Sequence, residues 1–343
     1  MDPVRLAVIG CGRIAQVAHL PALEKADGID LVAVSDPTLE VAQAIARRYD
    51  IPHAYDDQSK VLEDPTIEAV LIAAPDRFHL AIATAALQAG KHVLVEKPLA
   101  STVEEAEALV KLVEESGLVL QVASMKRHDQ GIEYAREFIA TQLGEVRSFH
   151  AWYRIGDLRP GVEATHFPKV YQSAAVAKTE LGFKGDRTRY SLATHGSHIF
   201  DTVRGLLGPI VEVRAINRVD GRDNTWQILA TTASGAVGTI SIAVDVPGHA
   251  AEGIEVFGSE GTVRADIQFP FFRKPTTVEA YAHGMTLVSN LTDGDAYERQ
   301  AEAFARTIRE QRQPVPNVID GLAAVQVIAA VAQSCTTGQA VRP

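Results

Sequence analysis

The sequence predicts an α/β protein in two parts: a parallel sheet flanked by helices, then an α+β part with a large, mainly antiparallel open sheet. From residue 4 to about 122, short β-branched runs alternate with Ala-rich stretches of helical period, as in parallel α/β sheets. After Ser124 the apolar residues alternate over longer runs, which is typical of antiparallel strands with one covered face. The 343 residues suit two domains, which we expect over 1–123 and 124–343.

The strands follow from these runs in chain order. The first part contains VRLAVIG, IDLVAVSD, AVLIAAP, KHVLVE and LVLQVA, and the second contains VRSFHAWYR, IVEVRAIN, TWQILATT, AVGTISIAV and GIEVFG. FGSEGTV provides a glycine turn between two strands. Two helices, over about 295–311 and 318–335, close the chain. Residues 155–190 have little periodicity and are long enough to form a functional loop.

The composition excludes several classes of partner. A formal charge of −10, with no run of Lys and Arg, disfavours nucleic acid and anionic membranes. The N-terminus lacks the basic flank and long apolar core of a signal peptide, so we expect a cytoplasmic protein. Cys11 and Cys335 match neither a disulfide framework nor metal-ligand spacing, which indicates a reducing compartment. We also expect no metal site, because the histidines form no H-E-x-x-H motif or comparable cluster. His195 and His198 are the one pair spaced to bind a common ion.

A nucleotide-binding motif follows the first predicted strand. Gly10, Gly12 and Ala15 form G-x-G-x-x-A between a strand and a helix, which is the context of the dinucleotide fingerprint. The glycines allow a tight turn and a close approach of pyrophosphate, and the helix N-terminus attracts the anion. Asp36, at the end of the second strand, can accept hydrogen bonds from both ribose hydroxyls and repels a 2′-phosphate. The cofactor predicted is therefore NAD rather than NADP. The alternative is that Asp36 and Pro37 only form a turn.

A candidate chemical site follows the strand KHVLV. Glu96, Lys97 and Pro98 lie at the carboxyl end of a parallel strand, where open α/β sheets bind their ligands. A lysine at that position can hydrogen-bond a substrate hydroxyl and assist the movement of its proton. The alternative is an ion pair in a surface loop.

The chain resembles the Gfo/Idh/MocA oxidoreductases, the family of glucose-fructose oxidoreductase and inositol dehydrogenase. The similarity lies in GCGRIA, Asp36, AAPDRFHL, VEKPLA, SMKRHDQGIEYA and HGSHIFD, which occur in the family's order. The resemblance implies an N-terminal Rossmann domain and a C-terminal domain whose open sheet makes homodimer or homotetramer contacts. It also implies NAD(P)-linked chemistry on sugars or cyclitols.

The resemblance further implies roles for individual residues. Lys97 and His198 correspond to the catalytic lysine and histidine. The cofactor-binding residues are expected to be Gly10, Gly12, Arg13, Ile14, Asp36, Pro75, His79, Glu96 and Lys97, with Pro75 and His79 beside the nicotinamide half. The substrate-binding residues are expected to be Arg127, Tyr153, Thr194 and His195.

The segment around His198 supports a catalytic role and also departs from the family. THGSHIFDTVRGLLG predicts a helix that ends at Gly208, with Thr194, His198 and Asp201 on one side. Oxidation of a secondary alcohol needs a base for the hydroxyl proton, and an imidazole suits that role. The family usually has Asp where this chain has Thr194, and a threonine cannot stabilise an imidazolium by charge.

Three functions are compatible with these observations. The first is an NAD-dependent dehydrogenase of a sugar, sugar derivative or cyclitol. The second is a redox-neutral glycoside hydrolase that works by oxidation, elimination, hydration and reduction, and the third is a non-catalytic NAD-binding regulator. An anionic sugar substrate is a further hypothesis, because the segment 154–189 has more positive than negative side chains. The positive ones are Arg154, Arg159, Lys169, Lys178, Lys184, Arg187 and Arg189, and the negative ones are Asp157, Glu163, Glu180 and Asp186.

Overall fold

A computed structural model of the chain describes residues 2–166, 169–171, 186–292 and 294–343. These residues form two compact units. Unit 1 comprises the chain up to Ser124 and Tyr297–Val325, together with the few described residues at 169–171 and Asp186. Unit 2 comprises Met125–His166, Arg187–Ala296 and Gln326–Pro343.

Unit 1 is built on a parallel sheet of six strands. In chain order the strands are β1 (Val4–Ile9), β2 (Ile29–Ser35), β3 (His53–Tyr55), β4 (Ala69–Ile72), β5 (His92–Glu96) and β6 (Leu120–Ala123). Their order in the sheet is β3-β2-β1-β4-β5-β6, so the direction of winding reverses between β1 and β4. Loops that leave the carboxyl ends of these two strands flank a crevice at such a reversal, where doubly wound sheets bind ligands. The strands β1, β4, β5 and β6 are almost wholly buried because helices cover both faces of the sheet.

The helices of unit 1 in the first 124 residues connect these strands. A π-helical turn (Ala15–His19) runs into α1 (Leu20–Leu23), and the others are α2 (Leu39–Arg48), α3 (Ser59–Glu63), α4 (His79–Gln88) and α5 (Val103–Ser116). Local sequence defines both ends of α5. The Thr102 side chain accepts from the Glu105 amide while the Glu105 carboxylate accepts from the Ser101 amide, and Gly117 ends the helix with φ +66°.

Unit 2 contains a sheet of eight strands. They are β7 (Val146–Gly156), β8 (Ile210–Asp220), β9 (Asp223–Thr232), β10 (Val237–Val246), β11 (Ala251–Gly258), β12 (Gly261–Ile267), β13 (Thr277–Ala282) and β14 (Met285–Val288). The order is β14-β13-β12-β11-β7-β10-β9-β8, and only the β7–β10 pair is parallel. The predicted fold class, a Rossmann-type sheet plus a mainly antiparallel one, is confirmed.

One face of the sheet in unit 2 is covered and the other is open. The helices of this unit before β8 are α6 (Gln130–Gln142), α7 (Arg159–His166), α8 (Arg187–Ser191), a π-helical turn (Leu192–Gly196) and α9 (Ser197–Leu207). Alternate residues of β7, such as Phe149 and Ala151, are buried in one core with Ile199 and Phe200 of α9. The residues between them face outward, and on β8 and β9 this open face includes Ile216 and Leu229, which are 70% and 54% exposed.

The last two helices depart from a contiguous division of the chain at 123/124. Phe304 of α10 (Ala296–Glu310) is buried in a core cluster with Val4 and Leu6 of β1, so most of α10 packs in unit 1. The helix α11 (Val318–Thr337) contributes its first residues to unit 1 and the remainder to unit 2. An amphipathic pattern predicts a helix but not the sheet that the helix covers, which explains the difference.

The helix α11 is also the one described helix whose length and apolar composition would suffice to cross a membrane. Its Val327, Ala330 and Val331 are buried in the core of unit 2.

A partly exposed ion pair of unit 1 makes its stability sensitive to acid. Arg309 of α10 donates through Nη1 and Nη2 to the two oxygens of Glu68, at 2.6 and 2.8 Å, and the Arg5 amide donates to the same carboxylate. The hydrogen bonds from Arg309 lower the pKa of Glu68 from 4.5 to about 2. A carboxylate with a lowered pKa stabilises the folded state above its unfolded pKa and loses that effect as the pH falls through its folded pKa.

We therefore expect Glu68→Gln to flatten the loss of stability between pH 4.5 and about 2. Urea unfolding at several pH values measures this, with exposed Glu107→Gln on α5 as the control. An unchanged acid limb in Glu68→Gln would contradict the assignment.

Candidate active-site residues

The loop after β1 has the geometry of a nucleotide cradle. Gly10 has φ +94°, and a Cβ there would lie 2.9 Å from the carbonyl of Ala73 and from the amide nitrogen of Ala74, so no other residue fits. A Cβ on Gly12 would meet nothing within 4 Å, so the space in front of this residue is open. Exposed Arg13 and half-buried Ile14 begin the helix that follows. An open space at a helix N-terminus fits a pyrophosphate.

Asp36 is held rigidly beside this loop. Its Oδ2 accepts from the Cys11 amide at 3.0 Å and its Oδ1 accepts from the Thr38 amide at 2.9 Å. Each carboxylate oxygen can still accept a second hydrogen bond, so the group fits a ribose diol. Burial, together with the charge of Asp36, raises the pKa of the Cys11 thiol well above its usual range, so that the thiol remains protonated.

Glu96, at the end of β5, contacts both His19 of the π-helical turn and the backbone of the predicted lysine. Its Oε1 lies 2.7 Å from Nε2 of buried His19, and its Oε2 accepts from the Lys97 amide at 3.1 Å. Burial raises the pKa of Glu96. The hydrogen bond from His19 and the charges of His19, Lys97 and His79 lower this pKa by more than burial raises it, so the net shift is downward. Glu96 is therefore an ionised carboxylate that orients the backbone of half-buried Lys97 at the carboxyl end of β5.

Pro75 and His79 lie on the segment that follows β4. Pro75 precedes a short 3₁₀ turn (Asp76–Phe78), and His79 begins α4. The ring nitrogens of His79 lie 2.8 Å from the carbonyl oxygen of Pro98 and 2.9 Å from that of Ala74. Both nitrogens are thus occupied by backbone, which leaves neither to hydrogen-bond a cofactor directly.

In unit 2 the structure brings three predicted residues together. The Tyr153 ring stacks on His198, with centroids 5.7 Å apart and planes 10° apart, and lies 5.6 Å from His195. The Tyr153 hydroxyl is 3.4 Å from Nδ1 of His195. His198 is half-buried in the first turn of α9, and Thr194 lies in the π-helical turn before it. Tyr153 thus provides the flat surface that orients both imidazoles.

Arg127 is bound to another side chain. Its Nε and Nη2 donate to the two oxygens of Asp201 at 2.9 and 2.8 Å, and both side chains are largely buried. A Cβ on Gly205 would lie 2.6 Å from Nε of Arg127, so the glycine makes room for the guanidinium. These hydrogen bonds tie Arg127 to α9 through Asp201. A role of Arg127 in substrate binding stays a prediction.

Sequence reasoning missed a buried ion pair next to these residues. Lys126 is 5% exposed, its Nζ pairs with the carboxylate of Glu252 on β11, and it lies 5.0 Å above the Tyr153 ring. Burial lowers the pKa of Lys126 and raises the pKa of Glu252, while their mutual attraction opposes both shifts. The KR pair in SMKRHDQ was the available signal for Lys126, but nothing near Glu252 marks its partner.

The charged segment 154–189 is only partly described. Lys178, Glu180 and Lys184 lie outside the described residues, as do the side chains of Arg159 and Glu163. Arg187 forms an ion pair with Asp245, and Arg154 donates to the carbonyl oxygen of His249 at 3.0 Å. Within the described ranges, no group of three or more His, Cys, Asp or Glu side chains could hold a metal ion.

Family models match both parts of the chain. The oxidoreductase family with an NAD-binding Rossmann fold matches residues 4–124, and the GFO/IDH/MocA C-terminal domain matches residues 132–264. The NAD+-dependent scyllo-inositol 2-dehydrogenase of Bacillus subtilis is 26% identical, with 99% of this chain and 96% of that protein covered. The NADP+-dependent D-xylose 1-dehydrogenase 2 of Haloferax volcanii is 26% identical, with 97% and 98% covered.

Solved structures show the same fold. A levoglucosan dehydrogenase in complex with NADH and levoglucosan superposes with a TM-score of 0.82 at 21% identity, covering 99% of each chain. With both family models in chain order and relatives similar over nearly the whole length, the chain belongs to the Gfo/Idh/MocA family of NAD-binding oxidoreductases.

Proposed function

We propose that the protein oxidises a secondary hydroxyl or anomeric carbon of a sugar, sugar derivative or cyclitol by hydride transfer to NAD. The observation that supports it best is the Glu96–Lys97–Pro98 turn at the carboxyl end of β5, where an ionised Glu96 orients Lys97. Relatives that act on scyllo-inositol and D-xylose favour this substrate class. NAD supplies the hydride acceptor when bound.

The chain's own residues handle the proton. Lys97 is proposed to hydrogen-bond the reacting hydroxyl, and His198 to accept its proton as general base. Tyr153, stacked on His198, holds the imidazole plane in one orientation. His195 is proposed to bind substrate with Thr194, since its ring lies against the same tyrosine.

We propose a preference for NAD over NADP, because the ionisable Asp36 is fixed by two backbone amides where a ribose would lie. Asp36→Ser is expected to weaken NADH binding about 10- to 100-fold, as expected for loss of hydrogen bonds to a charged group, and to narrow the gap to NADPH. Fluorescence titration with both nucleotides measures this, with Glu40→Gln, an exposed carboxylate on α2, as the control. Equal affinity of the unaltered protein for NADPH and NADH would contradict the proposal.

One observation favours a second candidate, the redox-neutral glycoside hydrolase. Thr194 stands where the family usually has Asp, so a neutral side chain replaces the negative charge that would stabilise a protonated His198. A proton NMR time course with NAD and pooled inositols, hexoses, uronates, sulfosugars and simple glycosides separates the candidates. NADH with a keto-sugar or lactone supports the dehydrogenase, whereas free sugar released with the NAD pool unchanged supports the hydrolase.

We further infer a homodimer or homotetramer formed through the open face of the sheet in unit 2. This face exposes Ile216, Leu229 and Val237, each more than half exposed. Sedimentation velocity tests the inference, since a monomer at micromolar concentration would contradict it. The two cysteines, Cys11 and Cys335, are free thiols, which agrees with the cytoplasmic location that we propose and that cell fractionation tests.

A further inference from the structure

His79 has an unusual pair of hydrogen-bond partners. Its Nδ1 lies 2.8 Å from the carbonyl oxygen of Pro98 and its Nε2 lies 2.9 Å from that of Ala74. Carbonyl oxygens only accept hydrogen bonds, and a neutral imidazole has a proton on only one of its two nitrogens. A neutral ring would therefore direct one lone pair at an oxygen lone pair, in a residue that is 1% exposed.

The geometry points to His79 as a buried imidazolium that ties the turn after β4 to the turn that carries Lys97. With a proton on each nitrogen, both contacts become charge-assisted hydrogen bonds, which are about twice as strong as neutral ones. The two carbonyls belong to Ala74, which follows β4, and Pro98, which follows β5. His79 is thus a positioning residue for Lys97, and this inference deepens the proposed function at the same turn.

The charges around His79 both favour and oppose this state. Glu96 is ionised, and the charge of His79 is among those that lower the pKa of Glu96. The same carboxylate also interacts with His19 and Lys97. His79 is the first residue of α4, and a helix N-terminus disfavours a cation. The carbonyl oxygens of Pro98 and Ala74, 2.8 and 2.9 Å from the ring nitrogens, carry partial negative charge that attracts a cation at this position.

His92 provides an internal comparison. It begins β5, and its Nδ1 accepts from the Val119 amide at 3.0 Å. A nitrogen that accepts a hydrogen bond carries no proton, and burial lowers the pKa of His92. His79 and His92 are therefore both shielded histidines of unit 1 with opposite protonation states.

Nitrogen NMR of the full chain labelled with ¹⁵N-histidine tests the inference without cofactor or substrate. At about pH 8.5, two units above the usual histidine pKa of about 6.5, exposed histidines are neutral. We expect one histidine with protons on both nitrogens to persist in the wild type and in His19→Gln, and to disappear in His79→Gln. His92→Gln should remove a neutral ring only.

Loss of every doubly protonated signal at that pH, or its disappearance in His19→Gln alone, overturns the inference. Because His79→Gln can fail to fold, the wild-type and His19→Gln spectra suffice for that decision. Once a substrate is known, folded His79→Gln is expected to lose about 10²-fold in kcat, as for a displaced catalytic group, while His92→Gln keeps its rate. A double-proton signal together with no turnover on any sugar would refute the proposed function and leave the imidazolium intact.

Discussion

Lys97→Ala is expected to lower kcat/KM for the oxidised sugar or cyclitol by ~10³-fold, because the group proposed to polarise the reacting hydroxyl is removed. Affinity for NADH should change little, since the main nucleotide contacts are proposed at Gly12 and Asp36. The Glu96 carboxylate remains bound to His19 and to the backbone amide of residue 97, so the turn should keep its shape. Steady-state kinetics and NADH titration of the same preparation separate these two effects.

The matched control is Lys111→Ala, an exposed lysine of α5 in the same unit. Both variants should unfold at similar urea concentrations. Full turnover in folded Lys97→Ala would remove the lysine from the mechanism, and an equal loss in both variants would indicate a general effect on unit 1.

The second large effect is on stability. Lys126→Met is expected to destabilise the protein by about 3–5 kcal/mol, because Glu252 is then buried without its cation. The double variant Lys126→Met with Glu252→Met should recover most of that loss, since two apolar side chains of similar length need no compensating charge. Urea unfolding followed by circular dichroism measures the stability of both variants relative to the wild type.

The stability of Lys126→Met should depend on pH. Burial raises the pKa of Glu252, and the charge and hydrogen bond of Lys126 are what lower it. Without Lys126 the pKa of Glu252 should therefore rise further. A group with a raised folded pKa stabilises the protein at low pH and loses that contribution as the pH rises. Lys126→Met should therefore recover stability in mild acid relative to neutral pH.

The surface pair Lys60 and Asp56 is the control, because solvent screens it and Lys60→Met should change stability little. If Lys126→Met unfolds at the same urea concentration as the wild type, Lys126 is not the charge that compensates Glu252. If the double variant is as unstable as the single one, packing around Tyr153 accounts for the effect instead.

The sequence alone determined the features that depend on neighbouring residues. Strand and helix periods predicted the parallel and antiparallel sheets, because a side chain's direction repeats within each element. Gly10 and Gly12 were recognisable by their fixed spacing after a strand, and the turn itself requires Gly10, whose φ is +94°. Lys97 was predicted from its position after β5, since parallel strands all end at one edge of a sheet.

Only the tertiary structure decided the pairings between distant residues. Lys126 and Glu252 are 126 positions apart, and Arg127 and Asp201 are 74 apart, so no local pattern joins them. The packing of α10 was also decided by the tertiary structure. The pattern of its apolar face does not say which sheet it covers, and in the fold Phe304 is buried with Val4 and Leu6 of β1. For His79, the motif marked the residue, but the carbonyls that surround its ring come from two turns that meet only after β4 and β5 pair. A sequence defines which side chains carry charge, while folding decides which of those charges are buried away from water and therefore need a partner of opposite charge.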